Sequence, residues 1–294
     1  MKITKMHGLG NDFILTTAEE TNGFDLPSLA RALCARRVNV GADGLIIAEK
    51  CEGADIRMRI FNSDGSEAEM CGNGIRCFAR YIYDNGIVQK SEMAIITLAG
   101  VMKPGLVFEN GKVSAVSVDM GRPEFENEKI PVIAGRPAIS NRIEVLGREM
   151  DVSTILMGVP HTIVYVNRPD EFDVCVYGPA IEKHSAFPQK TNVNFIQILD
   201  KNTLKIETWE RGAGLTLACG TGSCAAAVVS AVKGFTQKNV NVLTQTGKLV
   251  IEYKDTGEVL MTGPAEYVFT GEVLSPEIKT AQRRQQTMAT GEKN

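Results

Sequence analysis

The sequence predicts a mixed α/β protein of the α+β type, with two pseudo-symmetric halves, each a curled, mostly antiparallel sheet around a central helix. Three observations carry this. A cysteine followed by a Gly-X-Gly turn and an apolar run occurs twice, as Met70-Cys71-Gly72-Asn73-Gly74-Ile75-Arg76-Cys77 and as Ala218-Cys219-Gly220-Thr221-Gly222-Ser223-Cys224. Motifs around the first copy recur in the same order around the second, which argues for an internal duplication. The run Ala225-Ala226-Ala227-Val228-Val229-Ser230-Ala231-Val232 is apolar nearly all round, as a helix buried on every side must be.

Taken in order, Lys2 to Thr16 reads as strand, tight Gly8-Leu9-Gly10-Asn11-Asp12 loop, strand. Leu26 to Arg37 reads as a helix with Leu26, Leu29, Leu33 and Cys34 on one face. Leu45-Ile46-Ile47-Ala48 and Arg57 to Phe61 read as strands, the second ending in the turn Asn62-Ser63-Asp64-Gly65. The first cysteine turn opens a helix to about Asp84, stopped by Asn85-Gly86. Strands resume at Ala94 to Thr97, Gly105 to Phe108 and Val113 to Val118. In the second half, Glu210 lies nine residues before Cys219, as Asn62 lies nine before Cys71. His161 lies fifty-eight before the second cysteine and Asn11 sixty before the first. Asn39-Val40-Gly41 has an echo in Asn192-Val193-Asn194. The halves then span 1–120, completed by a returning strand at about 264–276, and 121–263, with a polar, disordered tail over 277–294.

Bulk properties narrow the function. A chain of 294 residues suits two domains, and 44% hydrophobic with 23% charged residues is a soluble, globular composition. A net charge of −3 gives no electrostatic case for nucleic acid or an anionic membrane. No apolar run approaches the roughly 20 residues that span a bilayer. The opening residues lack the apolar core of a signal peptide, which leaves the cytoplasm, where thiols stay reduced, as the expected compartment. Seven cysteines and three histidines fit neither a disulfide framework nor a zinc site.

A cysteine at a helix N-terminus meets unpaired backbone N–H groups and the positive end of the dipole, so its thiolate is favoured. Glycines beside it let a substrate carboxylate approach the same N–H groups. Two such sites suggest two thiols acting on one small acid. Inverting an α-carbon by proton transfer needs a base on one face and an acid on the other, and a thiolate with a thiol supplies both. No metal or pyridoxal cofactor is required.

The motifs so assembled resemble the diaminopimelate epimerase family. The resemblance runs from Gly8-Leu9-Gly10-Asn11-Asp12-Phe13 through Gly41-Ala42-Asp43-Gly44, Phe61-Asn62-Ser63-Asp64-Gly65-Ser66 and Trp209-Glu210-Arg211-Gly212-Ala213-Gly214 to Gly263-Pro264. It implies a cofactor-independent epimerase of L,L-2,6-diaminopimelate, with Cys71 and Cys219 as the acid/base pair and a homodimeric assembly. It further implies that Gly72, Asn73, Gly220 and Thr221 hold the reacting carboxylate, and that Asn11, Asn62, Asn192, Glu210 and Arg211 bind the substrate. His161 and Glu210 would set thiol protonation. Val159 stands where the family commonly has the asparagine of a Gly-Asn-Pro-His turn. Related racemases of this fold act on histidine or proline, and that substrate remains the alternative. A reversible thiol-redox pair and a silent amino-acid-binding module are rivals of other classes.

Overall fold

A computed structural model describes residues 1–126, 130 and 139–274. The polar tail expected over 277–294 lies outside the described residues. The chain divides into two compact units, one of Met1–Val116 joined by the chain returning at Ala265, the other of Ser117–Pro264.

Unit 1 begins β1 (Lys2–Gly8), β2 (Asn11–Thr17), α1 (Leu26–Cys34), β3 (Gly44–Glu49), β4 (Ile56–Asn62) and β5 (Glu67–Ala68). It continues α2 (Gly72–Asp84), β6 (Ile95–Thr97), β7 (Gly100–Met102) and β8 (Gly105–Glu109), and β9 (Lys112–Asp119) leads out of it. Unit 2 holds β10 (Asn141–Val145), β11 (Arg148–Met157), β12 (Val159–Tyr165), α3 (Val174–Glu182), β13 (Asn192–Asp200), β14 (Thr203–Glu210) and β15 (Gly214–Thr216). It ends α4 (Gly220–Val232), β16 (Asn239–Thr244), β17 (Gly247–Tyr253) and β18 (Val259–Gly263), and the chain returns to unit 1 as β19 (Glu266–Glu272).

The two sheets repeat one plan. Unit 1 runs β19-β1-β2-β3-β4-β6-β7 with β5 beside β4, and unit 2 runs β10-β11-β12-β13-β14-β16-β17 with β15 beside β14, extended past β17 by β18. Pairs are antiparallel except β2 with β3, β4 with β6, β12 with β13 and β14 with β16. Each parallel pair is joined across a helix, the connection that parallel strands require. The α2 helix packs on β1 to β4, and α4 on β11 to β14 and β16 to β18. Every residue of α4 from Gly222 to Ser230 is buried, as its uniformly apolar sequence demands. Arg76, by contrast, is fully buried in α2 although its type suggests the solvent face, and its Nη1 donates to Gly72 O at 3.1 Å.

Local chemistry explains the connections that aim these helices. The β1–β2 hairpin closes through Leu9 and Gly10, both at positive φ, the conformation that suits a two-residue hairpin turn. Asp25 caps α1 by accepting from Ser28 N at 3.1 Å, with proline in the first turn. In unit 2, α3 lies on Trp209 of β14 at Gly178, where an added Cβ would fall 2.6 Å from the indole Cγ. The indole N–H also donates to Glu182 Oε2 at 2.8 Å, so α3 is both packed and pinned on this tryptophan. Gly178→Ala is expected to cost about 1–3 kcal/mol by overpacking. Urea unfolding followed by the fluorescence of Trp209, the single tryptophan, checks this.

Candidate active site

In unit 1, Cys71 is the N-cap of α2, with an extended backbone (φ −139°, ψ 122°). Its Sγ accepts from Gly74 N at 3.4 Å, while its carbonyl receives Ile75 N at 2.8 Å and starts the helix. The thiol donates toward Asn11 Oδ1 at 3.6 Å, and Asn73 Nδ2 donates to the same oxygen at 3.3 Å. The Asn11 amide is oriented from behind, since its Nδ2 donates to Asp43 Oδ2 at 2.7 Å and only the carbonyl is left to face the cysteine. Asp43 belongs to a wider network. Arg36 Nη2 donates to Asp43 Oδ1 at 2.8 Å and to Asp12 Oδ1 at 2.6 Å, and the buried Lys5 reaches Asp12 Oδ2 at 2.8 Å and the Gly41 carbonyl. Partial burial alone would raise the Asp12 carboxyl, but Arg36 and Lys5 outweigh it and hold the group at about 2.

In unit 2, Cys219 is the N-cap of α4 with the same extended backbone (φ −120°, ψ 114°), and its carbonyl receives Ser223 N at 2.9 Å. Its Sγ lies 3.5 Å from Thr221 Oγ1. Burial pushes this thiol well above the ordinary cysteine range, and the Glu210 carboxylate pushes it further, against the Thr221 hydroxyl and the Gly222 N–H. The lowering expected of a helix N-terminus is therefore reversed at Cys219, because desolvation of the thiolate is the larger effect. Nearby, Asn192 Oδ1 accepts from Arg211 N at 2.8 Å, and Arg211 Nη1 donates to Gln189 O at 2.9 Å. His161 is fully buried and accepts at Nδ1 from Asn194 Nδ2 at 3.1 Å. Burial first, and Arg211 second, take its imidazole down to about 3.

Unit 1 thus gathers Asn11, Cys71, Gly72 and Asn73 at one helix mouth, whereas Asn62 is exposed and its amide donates to Ser66 Oγ at 2.9 Å within its own turn. Unit 2 gathers Glu210, Cys219, Gly220 and Thr221, with Asn192 bound to Arg211 beside them. The third residue of each helix is glycine for a packing reason. A Cβ at Gly74 would press on Ile46 Cδ1 at 3.1 Å and Ile60 Cδ1 at 3.3 Å, and one at Gly222 would overlap Asn194 Oδ1. These two glycines serve the helix-to-sheet approach rather than a ligand. Sequence reasoning gave no site role to Lys5, Asp12, Arg36, Asp43, Asn194 or Thr208, although three of them stand inside quoted motifs. For Asn194 and Thr208 the signal is the equivalence of the halves, which sets them opposite Ile46 and Ile60 in the correct register.

Strand pairing gives that register. A constant offset of 148 residues carries Cys71 onto Cys219 and Asn62 onto Glu210, and it matches the pairs Phe13–Gly44 with His161–Asn192 and Ile46–Ile60 with Asn194–Thr208. Asn11 then corresponds to Val159, and His161 to Phe13. Asn192 corresponds to Gly44, not to Asn39. The two sequence echoes involving His161 and Asn192 were displaced by two and five residues.

The fold is shared with solved structures. A phenazine biosynthesis protein of the PhzF family from Bacillus anthracis matches at a TM-score of 0.68 and 18% identity, over 94% of this chain and 99% of that one. A hydroxyproline epimerase from Agrobacterium vitis matches at 0.64 and 15% identity, over 94% of each. Sequence places the chain more narrowly. The diaminopimelate epimerase family profile matches residues 3–126 and 153–268. Diaminopimelate epimerases from Caldanaerobacter subterraneus subsp. tengcongensis and Moorella thermoacetica are each 50% identical, over 93% and 92% of this chain and 99% of theirs. The chain belongs to the diaminopimelate epimerase family.

Two outcomes follow from the site geometry. Asp43→Ala removes the acceptor of Asn11 Nδ2, Asp12 N and Arg36 Nη2, and the freed Asn11 amide predicts a fall in kcat/KM of at least about tenfold, read by steady-state kinetics. The depressed His161 binds no proton at pH values where the unfolded chain does, between 6.5 and about 3. Its contribution to stability is therefore full above 6.5 and lost as pH falls through that window. Urea midpoints measured at pH 7 and 4.5 should differ less in His161→Gln than in the parent.

Proposed function

We propose that this chain epimerises L,L-2,6-diaminopimelate to the meso form, in lysine and peptidoglycan-precursor synthesis, by moving a proton at one α-carbon between two thiols. The observation that carries the reading is the cysteine at the mouth of the central helix in each unit of a chain that belongs to this family. One sulfur, as thiolate, takes the α-proton, and the other, as thiol, delivers a proton to the opposite face. Two thiols suffice as acid and base. Backbone N–H groups at Gly72, Asn73, Gly220 and Thr221 would receive the reacting carboxylate and the charge that grows on it as the carbanion forms. Asn11, Asn62, Asn192, Glu210 and Arg211 would bind the remainder of the substrate, and His161 with Glu210 would bias the thiols.

The environments of Cys71 and Cys219 support different resting tasks. Cys219, raised by burial and Glu210, is suited to rest as the proton donor. Cys71 has both an N–H donor and an amide acceptor on its sulfur, contacts that a thiolate and a thiol respectively can use. The compartment we assign is the cytoplasm, whose reducing poise keeps such thiols active. Among the described residues no helix is long and apolar enough to cross a membrane. The assembly we assign is a homodimer.

Incubation in deuterated water with L,L-diaminopimelate, with α-proton signals followed by NMR, tests the reading. Exchange should accompany conversion, and Cys71→Ser and Cys219→Ser should each lower turnover by about 10²- to 10⁴-fold. If histidine or proline exchanges and diaminopimelate does not, Val159 has redirected the substrate and the assignment is wrong.

A further inference from the structure

Three core positions beneath the helix mouth are apolar in unit 1 and polar in unit 2. Phe13, Ile46 and Ile60 are all buried, and Ile46 and Ile60 form the floor under Gly74. Their equivalents at the 148-residue offset are His161, Asn194 and Thr208, no more than 3% exposed, and Asn194 is the floor under Gly222. Replacing hydrocarbon by three polar side chains at such depth is costly unless their hydrogen bonds are made. Nearly all of them are. Thr208 Oγ1 donates to Asn194 Oδ1 at 3.1 Å, and Asn194 Nδ2 donates to Thr162 O at 3.4 Å and to His161 Nδ1 at 3.1 Å.

This arrangement fixes a proton. A backbone carbonyl only accepts, so the Thr162 oxygen requires the NH₂ end of the Asn194 amide on its side, and the Thr208 hydroxyl then meets the amide oxygen. The same NH₂ group spends its second hydrogen on His161 Nδ1, which must be a lone pair. The ring proton of the neutral imidazole therefore sits on Nε2. That Nε2 is buried and has no hydrogen-bond partner among the described residues. An N–H left unpaired at such depth is costly, which marks it as a donor awaiting an acceptor.

We propose, building on the epimerase reading, that Asn194, held by Thr208 and Thr162, is a positioning residue that locks His161 as the neutral Nε2–H tautomer, so that His161 donates a hydrogen bond to an anionic atom in the loaded site and does not act as a base. The anionic atom is a substrate carboxylate oxygen or a cysteine thiolate, and the two are separable by experiment. Asp at position 194 would reverse the lock, because a carboxylate accepts where the amide donates and draws the ring proton to Nδ1.

The test is long-range ¹H–¹⁵N correlation on the full chain labelled at histidine, with His161 assigned by its loss in His161→Gln. In the unliganded parent His161 should show the Nε2–H pattern, and Asn194→Asp should show Nδ1–H or a doubly protonated ring. Turnover of Asn194→Asp should fall about 10- to 100-fold with KM changed less than kcat, while Thr208→Val should show a mixture of tautomers. Adding meso-diaminopimelate to a Cys71→Ser, Cys219→Ser double variant should shift the Nε2–H signal if the acceptor is a carboxylate. A shift confined to protein with its cysteines intact identifies a thiolate. An Nδ1–H pattern in the parent overturns the proposal, as does an Asn194→Asp protein with an unchanged tautomer or unchanged turnover. The unliganded spectrum needs no activity, so the lock can fail while the substrate assignment stands, and the converse holds for the exchange assay.

Discussion

In each unit the first turn of the central helix is brought hard against the sheet, and that closeness rests on the absence of one side chain. At Gly74 and at Gly222 any Cβ would meet the floor of the sheet, two isoleucine methyls in one unit and an amide oxygen in the other. The preceding cysteine is then held as an N-cap in an extended conformation, its carbonyl starting the helix and its sulfur at the helix mouth. The parallel strand pairs on either side exist because each helix crosses between them.

Upon this shared frame the two units have been given different chemistry. Unit 1 lines its helix floor with hydrocarbon and puts its polar network outside, where Lys5, Asp12, Arg36 and Asp43 orient Asn11 against Cys71. Unit 2 has Val159 at the position of Asn11, places its polar side chains in the floor itself, and brings Glu210 to Cys219. The two-base reaction proposed above would then run between thiols in unequal surroundings, although a coupled pair sharing one proton takes up opposite states even where its members are equal. The duplication supplied two sulfurs, and the divergence beneath and around them distinguishes one from the other.

Much of this was legible in the residue pattern. The Gly-X-Gly turns, the uniformly apolar α4 and the spacing from Asn62 to Cys71 and from Glu210 to Cys219 sufficed for the central helices and their caps. Family resemblance reached the same residues, and membership is now plain. The register of the repeat was less legible, because matching by residue type drew His161 toward Asn11 and Asn192 toward Asn39. Strand pairing, which answers to backbone spacing and not to side-chain likeness, corrected both. Burial of Arg76 was hidden for a related reason, as a cation within an amphipathic run reads as solvent-facing until its backbone acceptor is seen. The high thiol of Cys219 escaped because dipole and desolvation oppose each other, and only depth decides between them.

The returning strand β19 sets an order on biosynthesis. It closes the edge of unit 1 against β1, with Val273 N donating to Met1 O at 2.9 Å, yet it follows the whole of unit 2 in the chain. As the polypeptide leaves the ribosome, β1 must wait with an open edge until every other described strand has emerged, and such edges invite pairing with neighbouring chains. Unit 2 is continuous in sequence and waits for no later segment, whereas unit 1, begun first, is completed last.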